Sequence, residues 1–131
     1  MSTERSSGGI ERTLDAPLLR FDIPKLVAQL KGERTWAIGT RNAITLLKTP
    51  ALRIVLVAMR AETEVASHRG DGPISVQVLD GRIAFDTADQ TLELGAGALV
   101  TLHAGIQHGL RALEECAYLL SIAGALPHPA E

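Results

Sequence analysis

From Trp36 onward the chain is a run of short apolar segments at about ten-residue spacing, most of them cut off by Gly, Pro, Asn or Asp. We read strands near 36–39, 43–48, 52–60, 74–79, 82–87, 91–94, 98–103, 108–113 and 116–123. One helical stretch precedes them. Asp22 can cap it, Pro24 sits in its first turn, Leu26, Val27 and Leu30 form an apolar stripe, and Gly32 ends it. That pattern predicts a helix around Ile23 to Leu30. A single leading helix followed only by short strands is incompatible with βαβ units and leaves an all-β sandwich or barrel.

The turns sharpen this expectation. Val76-Gln-Val-Leu-Asp80-Gly81-Arg-Ile-Ala-Phe85 reads as a hairpin, since a type I′ turn needs positive φ at both central residues and Asp-Gly supplies it cheaply. Gly95-Ala-Gly97 is a second breaker, and Ala104 to Gln107 reads as a four-residue hairpin loop. No internal repeat or linker divides the 131 residues, which suit one domain. The expected organisation is a flexible, Ser- and Gly-rich arm over 1–12 and a single barrel domain over 13–131, its core spanning about 43–124.

Composition removes several functions. The apolar fraction of 46% against 21% charged is that of a globular chain. A net charge of −2 and a pI near 6.1 provide no basic field for nucleic acid or acidic lipid. Phe21, Trp36, Phe85 and Tyr118 are too few for a base-stacking platform. The single Cys116 lies in an apolar run without a basic neighbour, which predicts a buried, inert thiol and fits a reducing compartment. The amino terminus is polar and lacks the apolar stretch of a secretory signal, and the run from Ile54 to Met59 is too short to span a bilayer. The expectation is a cytoplasmic protein with neither nucleic acid nor membrane as partner.

The strand and turn spacing from about Leu52 to Ala123 resembles that of the cupin superfamily, small jelly-roll barrels with two signature segments. In the first segment His68 matches the family's first His and Gly81 its closing Gly. Gly70 stands where the second His belongs, Ile74 where the Glu belongs, and Glu62 replaces the opening Gly. In the second segment Gly97, Gly105 and His108 match, while His103 replaces the Pro and Ala112 the Asn. The resemblance implies a cupin-type jelly-roll barrel with one short N-terminal helix. It also implies a small stand-alone cupin with degenerate metal-binding motifs: of the family's three His and one Glu, only His68 and His108 remain.

Three imidazoles are nonetheless the candidate site. If Ala104 to Gln107 close a hairpin, His103 and His108 face each other on neighbouring strands, about 4.5–5.5 Å apart at Cβ. With His68 they would form a cluster suited to a divalent transition metal such as Zn, Fe, Ni or Cu. Such a site would weaken below about pH 6.5, where free imidazole protonates. Asp71 and Glu64 are candidate acceptors orienting His68. Arg41, Arg53 and Arg60 are candidate carboxylate clamps, although a solvent-facing position suits Arg53. Alternation places Ile74, Val76 and Val78 in the barrel and Gln77 on its outside.

The leading expectation is a barrel that binds a small molecule. Its alternatives are a metal-dependent enzyme (dioxygenase, isomerase or decarboxylase) built on His68, His103 and His108, and a non-catalytic sensing or structural module. A homodimer is expected too, because strand 52–60 is apolar on both faces and one barrel interior accounts for only one of them.

Overall fold

Residues 13–124 are described by a computed structural model; the arm expected over 1–12 lies outside them, as do residues 125–131. Helix α1 (Ile23–Gly32) forms where the capping signals place it, with Asp22 Oδ1 accepting from the Lys25 amide at 3.2 Å. Its stripe turns toward the protein, and Leu30 is fully buried. A second, short helix follows, α2 (Arg34–Ile38), where the sequence reading expected a strand over 36–39. Tertiary contacts explain that difference. Trp36 is buried against the first strands, and the Arg60 guanidinium lies 4.3 Å from its ring while donating to the Trp36 and Gly39 carbonyls.

The strands are β1 (Arg41–Lys48), β2 (Leu52–Met59), β3 (Glu64–His68), β4 (Ile74–Asp80) and β5 (Arg82–Thr87). Then come β6 (Thr91–Gly95), β7 (Leu99–Leu102), β8 (His108–Ala112) and β9 (Cys116–Ala123). They build two antiparallel sheets, one in the order β1-β2-β9-β4-β7 and the other β3-β8-β5-β6. This is the expected all-β jelly-roll architecture. Strand β3 was not expected, because Glu-Val-Ala-Ser-His offers one apolar inward residue, Val65, and sits at a sheet edge.

Two expected hairpins are not hairpins. β4 belongs to the first sheet and β5 to the second, so Asp80-Gly81 is a crossing between layers. Only Gly81 has positive φ (77°), whereas a type I′ turn needs two such residues. Gly81 is required for a second reason: a Cβ there would strike the Glu115 carbonyl and Cys116. Likewise β7 pairs with β4 and β8 with β3 and β5, so residues 103–107 also cross between layers.

The core lies between the sheets, where β4 contributes Val76 and Val78, β5 contributes Ile83 and Phe85, and β9 contributes Cys116 and Tyr118. As alternation requires, Gln77 points the other way. A second apolar cluster covers the outside of the first sheet: Leu30 and Trp36 from the helices pack on Ile44, Leu46, Leu56 and Ala58. The apolar outer face of β2, read from sequence as a dimer surface, is therefore covered by the chain's own helices. Full burial of a side chain such as Leu30 or Leu56 contributes about 1.5–3 kcal/mol. Among the described residues no helix is long and apolar enough to cross a membrane.

Candidate functional site

β8 and β3 carry the two histidines that the fold brings together. Alternation turns His108 and Leu110 of β8 inward, and His68 of β3 is the direct register partner of His108. Their ring centroids are 4.5 Å apart at an interplanar angle of 54°. His108 is buried and stacks on Phe85 of β5 at 5.7 Å, while His68 is exposed toward the barrel mouth.

Both rings are oriented by their own backbone. His68 Nδ1–H donates to the Ala66 carbonyl at 3.0 Å, and His108 Nδ1–H donates to the Ile106 carbonyl at 2.9 Å. A carbonyl oxygen can only accept, so the proton sits on Nδ1 and the neutral ring keeps its Nε2 lone pair. The orienting acceptors are thus backbone carbonyls, not Asp71 or Glu64; Glu64 lines a groove on the outside of the second sheet.

The two imidazoles line a cavity of about 250 Å³ at the mouth of the barrel. Its walls are apolar: Ile74 and Val76 from β4, Leu110 from β8, Leu120 and Ile122 from β9, and Phe85 behind His108. Tyr118 also borders it, but its hydroxyl is directed to Met59 Sδ at 3.8 Å, and burial pushes its pKa well up. Burial likewise pushes the neighbouring Cys116 thiol up to about 11, which makes it an inert core group as expected.

Arg53 completes the lining. On β2 it shares parity with Val55, Val57 and Met59, the inward face, and stands at the mouth where that face meets solvent. Arg53 is exposed, as the solvent-facing position expected for it requires. Counting by twos from Met59 also puts it on the inward row, so it reaches solvent at the cavity mouth. Arg60 is engaged with α2, and Arg41 lies at the far end of edge strand β1, so neither joins this cavity.

His103 is not part of the pair. It is exposed and lines a shallow groove with Pro73, Thr101 and Ser121, because β7 and β8 lie in different sheets. The convergence of three imidazoles expected from a hairpin is therefore absent. Among the described residues no group of three or more His, Cys, Asp or Glu side chains stands close enough to hold a metal. The pair falls short of a three-His, one-Glu donor set, and no carboxylate lines the cavity.

The flanking loops are joined at the rim. The Gly105 amide donates to the Gly70 carbonyl at 2.9 Å, and Arg69 Nη2 donates to Gln107 Oε1 at 3.2 Å. The Gly-rich loop after His68 and the loop before His108 thus hold each other, which sets the spacing of the pair.

No family model and no curated protein matches the sequence. Solved structures do match. A conserved protein of unknown function from Streptococcus pyogenes is 19% identical with a TM-score of 0.71, the match covering 92% of this chain and 100% of that one. A cupin-2 domain containing protein from Shewanella frigidimarina is 17% identical with a TM-score of 0.64, covering 79% and 93%. A cupin superfamily protein from Desulfitobacterium hafniense is 15% identical with a TM-score of 0.64, covering 65% and 78%. At such identities the likeness establishes the fold alone: the chain has a cupin-type barrel fold.

Proposed function

We propose that this cupin barrel binds a small molecule in the cavity between its sheets, against the His68–His108 pair. The observation that carries the reading is a concave apolar chamber with few, fixed polar groups, the usual build of a small-ligand site. The wider groove outside the second sheet, about 460 Å³, is open and lined by Glu64, Asp86 and Arg111 among others, and suits solvent better. Methyl-resolved NMR against a panel of small acids and alcohols tests the reading. Shifts are expected at Ile74, Val76, Leu110 and Leu120, and Leu120→Trp, which fills the chamber, should abolish them. Shifts confined to Val65 and Leu110 together with backbone shifts at Ser67 and Arg111, unaltered by Leu120→Trp, would place the ligand in the outer groove and overturn it.

One observation favours a second reading, a transition metal held by histidine. Tethering Nδ1 to a carbonyl is how metal-binding imidazoles are commonly oriented, and both rings have it. With two protein donors and no carboxylate, such a site would be weak and would prefer Zn, Ni or Cu to hard ions. Calorimetric Zn or Ni titration checks it. Loss of binding in both His68→Ala and His108→Ala, but not in His103→Ala, supports the metal; equal binding by all four proteins rejects it.

The reading includes a reducing, cytoplasmic setting, which the buried free thiol of Cys116 suits. It also keeps a homodimer, now through edge strand β7 with its exposed Leu99 instead of through β2. Light scattering should then give a dimer mass that Leu99→Lys lowers to the monomer; a monomer at micromolar concentration in the unaltered protein rejects it.

A further inference from the structure

We infer that the ligand is a small hydroxycarboxylate: an apolar body with an acid group for Arg53 and a hydroxyl for the imidazole pair. This inference rests on the barrel-cavity reading above and names the chemistry that the cavity selects.

The polar inventory of the chamber is short and one-sided. Arg53 is its single permanent charge, placed on the inward row by the parity of β2, and its guanidinium has no hydrogen bond or ion pair with the described residues. No Asp or Glu lines the chamber to neutralise it. A guanidinium has donors only and pairs best with a planar carboxylate, which accepts two of them in parallel. The other polar groups are the imidazoles. Each has committed Nδ1–H to a backbone carbonyl, and each Nε2 has no hydrogen-bond partner among the described residues. In the neutral rings those two nitrogens are acceptors; exposed His68 can take a proton from water, whereas buried His108 looks into the chamber. A bare carboxylate has no proton for it; a hydroxyl supplies one.

Size and wall chemistry set the rest. At about 250 Å³ the chamber falls below the range of roughly 300–1,000 Å³ typical of drug-sized ligands, so the body is short. Ile74, Val76, Leu120 and Ile122 make an aliphatic wall, which suits a branched alkyl chain better than a sugar ring with hydroxyls all round.

Three probes separate the contributions: 2-hydroxy-4-methylpentanoate, 4-methylpentanoate without the hydroxyl, and 4-methyl-1-pentanol without the acid. Calorimetry or NMR titration of the full chain should show the hydroxy acid binding at least tenfold more tightly than either analogue. A site that leaves its own polar groups unpaired discriminates against the lacking ligand in this way. Arg53→Gln should collapse the preference for the hydroxy acid over the alcohol. This exposed residue at the mouth can be changed without touching the core. His108→Phe, with His68→Phe as a second variant outside the core, should collapse the preference for the hydroxy acid over the plain acid. If the alcohol binds as tightly as the hydroxy acid, or Arg53→Gln leaves the preference intact, the ligand class is overturned while the barrel-cavity reading stands. If none of the three binds at tens of millimolar, and the wider panel shifts no cavity methyl, both fall together.

Discussion

His108 and His68 occupy opposed positions in adjacent strands, yet their surroundings differ enough to separate them by mutation. His108 is 6% exposed, stacked on Phe85 and hydrogen-bonded to Ile106, so His108→Ala opens a hole beside the core. It should cost roughly 1–3 kcal/mol in urea denaturation. His68 faces solvent and packs on one ring, so His68→Ala should cost less than about 1 kcal/mol. Equal costs would mean that the pair is not seated as described. His103 should be the most tolerant of the three, since its side chain lies in the shallow groove on the other side of the first sheet.

At the scale of elements, the turns that carry the chain between the sheets hold glycines that differ sharply in what they tolerate. Gly81 and Gly97 both have positive φ, at 77° and 91°. A Cβ on Gly97 meets open space, so Gly97→Ala should cost about 1 kcal/mol from conformation alone. At Gly81 the same Cβ would collide with the Glu115 carbonyl and with Cys116. Gly81→Ala should therefore be much more destabilising, by several kcal/mol, or should prevent folding. Parallel urea melts of the two variants check this, and equal midpoints would contradict it. Helix α1 gives a second test. Leu30 is fully buried against the first sheet, so Leu30→Ala should cost about 2–5 kcal/mol. Asp22→Ala removes only the cap and should cost about 1 kcal/mol.

For the whole molecule, the titration of its core sets an alkaline limit to stability. The Cys116 thiol is raised from its ordinary value near 9 to about 11, chiefly by burial, and Tyr118 is raised further in the same direction. The folded chain thus holds these protons more tightly than the unfolded chain. The associated stability is complete below about pH 9 and is lost as pH rises through about 11. For Cys116 alone the loss is on the order of 2–3 kcal/mol. Denaturation midpoints should fall between pH 8.5 and about 11, and Cys116→Ala should flatten that slope even though it lowers stability overall. An unchanged slope would show that the thiol is not the group responsible. The same burial predicts slow reaction with a thiol reagent at about pH 8 in the native protein and fast reaction once it is unfolded.

Local chemistry alone was enough to specify most of the elements, though not α2 or β3. The Asp22 cap and the stripe through Leu30 defined α1, period-two apolar runs defined eight of the strands, and alternation put Val76 and Val78 inside and Gln77 outside. These signals are legible because they depend on residues within a few positions of one another. Which strand each strand meets is another matter, since pairing is a contact between residues far apart in the chain. Asp80-Gly81 and Ala104 to Gln107 have turn chemistry that serves equally for a hairpin or for a step between layers, and the packing of the two sheets chose the step. That choice separated His103 from His108 and set His68 opposite His108. It also turned Arg53 to the cavity mouth and left the second face of β2 to be covered by α1 and α2. The residues of the site could be read one at a time, but their convergence is a property of tertiary pairing, which a linear pattern does not encode.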